Sequence, residues 1–549
     1  MILMKLFGVR HCCCLALVLV LTGAFAATGS AQIRASAAGN QAEGLISEAV
    51  RALENGNTAN AKTLVQRALA ASPDNVKAHT LAGILADREN NLQTAERHFA
   101  AAVKLSPQTP ETHNNYGAIL LKQNRLANAK REFTTSLQLN PNQQSALVNL
   151  GQIHFNEGTP DTLRSAKDLF QKAQKLAPDA EVSMALVITA LRLNENTEAA
   201  EYYRQYIALA GGWTNTDSSQ KVKQRLQLGA LLRENNLLDE ARQEFDAVAA
   251  LEPSNVEALV QLARIHLARK DIQAAGRTLE GAVARGIDDA RIYAALAEVY
   301  QAFNRFENAI PAMRLAIKKE PGNELYRARY GLLLVDAKAP AAAVIRLDEA
   351  VKEFPNSARL WLALGIAYTD DNKTIEARTA FEKALAIDPK LVPALAYLAM
   401  SFSEEAKYEE AAKIYERALS LDENNAVLHY LLADTLLKST NPDLIRIEKA
   451  LKRSVTLDAG LASAHLALGR LYVRQNRLVE ALGSLESAVK LKPELIEALY
   501  QLGRVYARLK RNEESQTTLA KFKQLNDLKT EQKDIDRREL VRRLASVRF

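Results

Sequence analysis

Small and apolar residues recur along this chain at one fixed interval. Gly83, Gly117 and Gly151 stand 34 residues apart, as do Gly229, Ala263, Ala297, Gly331, Gly365, Ala399 and Ala433, and again Gly469 and Gly503. Numbering that small residue as position 8 of a 34-residue unit brings further columns into line. Alanine fills position 20 (Ala61, Ala95, Ala377) and position 27 (Ala68, Ala384, Ala488); position 24 is often aromatic (Phe99, Phe133, Phe245, Phe381, Tyr415) and position 32 often proline (Pro73, Pro107, Pro389). The pattern predicts paired helices. A residue without bulk lets a second helix cross closely, an aromatic side chain fills the space between the two, and a proline, lacking its N–H, stops the second helix. Glycine inside a helix costs about 1 kcal/mol relative to alanine, so its recurrence demands close packing to offset it. Acidic or amide residues beside the proline, as in Asp388-Pro389 and Asn140-Pro141, start the next hairpin. A period of this length marks stacked helical hairpins, and it replaces the several globular domains that 549 residues would otherwise suggest.

The clearest copy reads Trp361-Leu362-Ala363-Leu364-Gly365-Ile366-Ala367-Tyr368, then Ala377, Phe381, Ala384 and Pro389. It resembles the W-x-x-L-G-x-x-Y…A…F…A…P pattern of the tetratricopeptide repeat family, over about fourteen repeats between residues 42 and 529. The resemblance implies an all-α, right-handed α-solenoid (a superhelix) of helix-turn-helix repeats. It also implies that the first helix of each hairpin lines a concave, partner-binding face through positions 2, 5, 9, 12 and 13. Three repeats depart from the pattern. The fourth carries extra residues around Gly158-Thr159-Pro160, the twelfth is stretched near Ser439-Thr440-Asn441-Pro442, and the fifth is degenerate, with Tyr202, Tyr203 and Tyr206 crowding its second helix. The polar run from Gly211 to Ser219 divides an N-terminal array (42–213) from a C-terminal array (222–529), with 214–221 read either as a hinge or as a longer inter-repeat loop.

The N-terminus reads as a secretory signal over residues 1–31, followed by a linker at 32–41. Lys5 and Arg10 precede an apolar run from Cys12 to Leu21 that is short for a membrane span, and cleavage is expected after Ala26 or Ala31; the other reading is an uncleaved anchor. All three cysteines (Cys12, Cys13, Cys14) fall in this segment, so the mature chain would hold no disulfide, thiol nucleophile or cysteine metal site. Export points to a bacterial periplasm, with the extracellular space as the alternative. A net charge of +7 that includes Lys5 and Arg10 is too small to argue for nucleic acid, and no later stretch is long and apolar enough to cross a membrane.

Candidate chemistry is sparse. His79, His113, His429 and His465 fall at position 4, where the family usually has tryptophan, and His154 and His266 at position 11, where it usually has tyrosine; they replace packing aromatics and are scattered among repeats. No metal-ligand spacing, G-x-S-x-G elbow or phosphate loop occurs, so neither an enzyme nor a cofactor or metal is expected. About twenty residues follow the last repeat, fewer than an appended catalytic domain needs. Binding residues are sought on the first helices instead. The lysine–asparagine clamp of chaperone-binding relatives is missing, since its places hold Thr80 and Ile84. Asn115 and Asn149 share position 6 of successive repeats, where some family members grip an extended peptide backbone. Arg470 and Arg474, repeated one unit later as Arg504 and Arg508 with Tyr500 one turn ahead, form a basic patch suited to an acidic protein segment or an anionic polysaccharide, unless they are ordinary solubilising charge. The tail at 530–549 has a partial apolar stripe (Ile535, Leu540, Val541, Leu544) and a basic face (Arg537, Arg538, Arg542, Arg543); it reads as a cap on the last repeat or as a membrane-surface or polymer anchor. The function expected is a non-enzymatic scaffold of the cell envelope, in envelope assembly or exopolysaccharide export, whose partners are other proteins.

Overall fold

The structure is a computed structural model that describes residues 30–210, 218–526, 540–542 and 544. The expected signal segment before residue 30 and most of the polar run lie outside the described residues. Between Ser30 and Asn526 the described residues form twenty-eight α-helices in fourteen consecutive hairpins, with no strand among them. A representative hairpin pairs Val76–Arg88 with Leu92–Leu105.

The columns of the sequence are the contacts of the hairpin. A Cβ placed on Gly83 would lie 2.7 Å from the ring of Phe99, on Gly117 2.8 Å from Phe133, and on Gly229 2.9 Å from Phe245. Position 8 is small because position 24 lies against it, and those rings are almost wholly buried. Burying such a side chain contributes roughly 1.5–3 kcal/mol. Where Gly469 and Gly503 recur, the facing residue is Leu485 or Leu519.

Hairpin turns use one left-handed residue, except that of the twelfth hairpin, between Leu437 and Leu444, which has none. Asn90, Asn124, Asn236, Asn304, Asn372 and Asn476 hold φ between 56° and 62°, and Lys270, Lys338, Ala406 and Lys510 occupy the same place in other repeats. The next residue's N–H then returns to the helix, as Asn91 to the Ala86 carbonyl and Arg125 to that of Leu120, both 2.8 Å. This is the Schellman closure, and asparagine is favoured there because its side chain tolerates the left-handed region.

Where position 4 carries a ring N–H, it staples the hairpin to the turn before it. Trp361 donates Nε1–H to the Pro355 carbonyl (2.9 Å), His79 Nε2 reaches the Pro73 carbonyl (2.8 Å), His113 that of Pro107 (3.0 Å) and His465 that of Ala459 (3.1 Å). A carbonyl can only accept, so these histidines donate as the indole does.

The chain divides into two compact units, Met1–Ile265 and His266–Phe549. In the first, the opening helix starts at Ser30 and runs to Glu54. Residues 32–41, expected as a linker, are therefore helical, in keeping with the high helix propensity of their alanines. The insertion in the fourth repeat lengthens its second helix (Pro160–Leu176, 17 residues), with Gly158 left-handed before it and Thr159 as N-cap. The polar run lies inside this unit. Across it, Glu244, fully buried, accepts a hydrogen bond from the Tyr203 hydroxyl (2.7 Å) and one from Arg225 (3.0 Å). Burial pushes the Glu244 carboxyl above its ordinary value, with Arg225 opposing. Of the crowded tyrosines of the fifth repeat, Tyr203 thus bonds a buried acid while Tyr202 bonds Glu198, and one apolar cluster extends from Leu147 to Ile265.

In the second unit the described tail residues, all helical, do not lie in the place expected of a cap on the last repeat. Val541 is buried in the cluster of Leu362, Ile366, Ala396 and Met400, with Leu544 packed against it, and Leu540 is buried with Leu461 and Ala464. The described apolar stripe of the tail (Leu540, Val541, Leu544) finds its burial on repeats nine to thirteen.

Candidate partner-binding faces

In the second unit the first helices Glu324–Asp336, Ala358–Asp370 and Val392–Glu404 carry an apolar strip on positions 5 and 9: Ala328 and Leu332, Leu362 and Ile366, Ala396 and Met400. Leu362, Ile366 and Met400 are 1 % exposed, although these positions face away from their own second helices in the family. Position 13 of the same repeats is acidic three times in succession, as Asp336, Asp370 and Glu404, and becomes Lys438, Arg474 and Arg508 in the next three. The face therefore changes along its length from apolar and acidic to basic.

The basic end is where the sequence reading placed its patch. Arg470, Arg474, Arg504 and Arg508 are all exposed and sit on two first helices in contact, Ala462–Arg474 and Ile496–Arg508. Arg470 is not a free cation, for its Nη1 lies 3.1 Å from Oε1 of Glu497 on the neighbouring helix. Arg508 donates to the Asn476 side chain, and the Arg504 guanidinium lies 5.5 Å from the centre of the Tyr500 ring, itself 5.2 Å from that of Phe522. Tyr500 is itself exposed.

In the first unit Asn115 and Asn149 are half-buried on Pro110–Lys122 and Gln144–Glu157. Their neighbour Asn114, at position 5, is 8 % exposed, and its Oδ1 has no hydrogen-bond partner. Two helical turns along, Lys122 reaches across to the buried Asp87 of the preceding repeat at 2.7 Å. Sequence reasoning missed Asn114 and Asp87; the signal was available, because both sit at inner-face positions, 5 and 12.

His113 Nδ1 pairs with Glu132 (2.7 Å), and His79 Nδ1 with His98 (3.1 Å), whose ring burial and the neighbouring His79 hold below its ordinary pKa. Among the described residues no three His, Cys, Asp or Glu side chains gather as a metal site, and no helix is long and apolar enough to cross a membrane.

Models described as tetratricopeptide repeat match residues 46–110, 110–143, 163–212, 232–299, 290–323, 358–391, 394–427 and 497–526, and one described as TPR repeat matches 469–510. Among curated proteins, cellulose synthase operon protein C of Xanthomonas axonopodis pv. citri (strain 306) is 27% identical over 250 residues, 42% of this chain and 16% of that protein. The human protein O-mannosyl-transferase TMTC1 is 25% identical over 202 residues, 36% of this chain and 22% of that protein. The chain thus matches well under a third of the length of either relative. Among solved structures, yeast Tom70 aligns over 86% of this chain and 96% of its own at 17% identity, with a TM-score of 0.38. With fourteen hairpins built on the position-8, position-24 and position-32 contacts, and repeat models matching along most of its length, the chain belongs to the tetratricopeptide repeat family.

Proposed function

We propose that this protein is a non-enzymatic scaffold of the cell envelope that binds protein partners on the first-helix faces of its repeats, in envelope assembly or exopolysaccharide export. The observation that carries the reading is the strip of the second unit: apolar at positions 5 and 9, acidic at position 13, and repeated over three hairpins. Such a face is rigid before a partner arrives, so binding costs little ordering entropy. The direction toward exopolysaccharide rests on the partial likeness to cellulose synthase operon protein C, and the envelope location on the leader-like first 31 residues.

The test is a photo-crosslinking amino acid placed singly at Glu404 or Arg474 on first helices and at Ile375 on a second helix, all three exposed, in cells that make the protein. Adducts with other proteins are expected at the first two sites and not at Ile375. Adducts confined to Ile375 would move binding to the other face. A second reading, direct binding of an anionic polysaccharide or acidic segment, has one observation in its favour: four arginines are exposed on two helices in contact. Changing all four to glutamate should then abolish salt-sensitive retention on a purified anionic glycan with helicity intact.

A further inference from the structure

We infer that the apolar, acid-edged strip of repeats nine to eleven is a receptor for a basic amphipathic helix, and that this chain's own C-terminal helix occupies it in cis until a partner helix of the same chemistry displaces it. The inference rests on the reading that the first-helix faces bind proteins, and adds the partner's class and a built-in competitor.

Three observations support it. The first is burial. Val541 is completely buried among Leu362, Ile366, Ala396 and Met400, and Leu544 packs against the same cluster. Leu540, one residue before, is buried with Leu461 and Ala464, beside Val427 and Tyr430. Residues at i, i+1 and i+4 fall within one broad apolar face of a helix; the strip's cluster buries Val541 and Leu544, and Leu461 and Ala464 of the thirteenth repeat bury Leu540. At positions 5 and 9 of the last two repeats Arg470, Tyr500 and Arg504 are exposed, and only Leu466 is buried.

The second is charge. Arg542, between the apolar residues, lies 3.0 Å from Oδ1 of Asp336 and 3.4 Å from Oδ2 of Asp370. These two acids come from position 13 of successive repeats, and Glu404 continues the row at the same spacing. One guanidinium spanning two rungs fixes both the register and the direction of the helix on the face, which a planar fork does better than an ammonium. The third is composition. From Arg537 to the last residue the sequence holds five arginines and a single acid, Glu539, a charge opposite to that of the row of acids.

A tethered helix competes at an effective concentration on the order of millimolar, so a free ligand sees its affinity reduced by the fraction of time the seat is open. The experiment uses full-length protein and a fluorescein-labelled peptide with the sequence of residues 530–549, followed by fluorescence anisotropy. Changing Val541→Asp and Arg542→Glu together in the protein should free the seat and tighten peptide binding at least tenfold over the parent. Adding Asp336→Lys and Asp370→Lys to that variant should remove binding. A full-length Arg542→Glu, Asp336→Arg, Asp370→Arg variant should close the seat again and return to weak binding. Circular dichroism of each variant checks that the repeats are intact. Equal peptide affinity in parent and released variant, or none in either, would overturn the inference. So would a parent that runs as a dimer and becomes a monomer on Arg542→Glu, because the occupant would then be a second copy. If the peptide fails but crosslinks at Glu404 persist, the partner-binding reading stands and only the helix chemistry and the competitor fall.

Discussion

Single positions in this fold are governed by what lies across the hairpin, so the same substitution has opposite effects in different repeats. Gly83 and Gly44 are both within helices, yet a Cβ on Gly83 meets Phe99 at 2.7 Å whereas one on Gly44 meets nothing within 4 Å. Alanine recovers about 1 kcal/mol of helix propensity at either site. At Gly83 it also overpacks the crossing, which costs roughly 1–3 kcal/mol. Gly44→Ala should therefore raise stability by about 1 kcal/mol, while Gly83→Ala should leave it unchanged or lower it by up to about 2 kcal/mol; denaturant unfolding of the two variants checks the sign. Position 4 follows a similar logic of role over identity. Tryptophan and histidine interchange there because each offers a ring N–H at the distance of the preceding turn's carbonyl. The sequence reading of these histidines as substitutes for packing aromatics captured the place but not the hydrogen bond. The bond links residues six apart across a helix start, and no composition pattern displays it.

Among elements, the fifth and sixth hairpins together bury one acid, Glu244. Glu244 sits on Leu238–Leu251, Tyr203 on Asn196–Ala210 and Arg225 on Ser218–Glu234, so three helices around the polar run share one carboxylate. Burial raises its pKa above the ordinary 4.5. Below that value the group is protonated in both states. Above it, and up to the raised folded value, the folded chain holds more protons than the unfolded one, so its contribution to stability falls as pH rises through that window. Glu244→Gln removes the ionisation and nearly keeps the shape. The variant should match the parent near pH 4.5 and become the more stable of the two as pH approaches 7, measured as urea midpoints across that range. A variant weaker by about 3–5 kcal/mol at pH 7 would mean instead that the Arg225 pair outweighs burial. The Tyr203 bond was not visible in the chain order, since Tyr203 and Glu244 are 41 residues apart, whereas Arg225 and Glu244 occupy the same pair of columns as His113 and Glu132.

At the scale of the molecule, legibility followed periodicity. The hairpins, their number and their internal contacts could be read because each contact joins two columns a fixed distance apart, as Gly365 and Phe381 do. The left-handed asparagines at the hairpin turns were equally periodic and went unread, because a polar turn residue attracts less notice than an apolar column. The seat of the tail could not be read at all: Arg542 and Asp336 are brought together by repeats whose stacking, not whose spacing, decides what lies above them. The same periodicity has an energetic consequence. When each hairpin is stabilised mainly by its neighbours, a local loss is felt locally. Phe133, fully buried between Pro110–Lys122 and Leu126–Leu139, is a suitable site within the first unit. Phe133→Ala removes about 3–5 kcal/mol of packing, and amide hydrogen exchange should show lost protection in its own hairpin and the helices flanking it, with Leu238–Leu251 of the same unit unchanged. Protection lost evenly from Ser30 to Ile265 would mean that the unit opens as one cooperative body. The nearest-neighbour account of its stability would then have to be abandoned, although the hairpins themselves would stand.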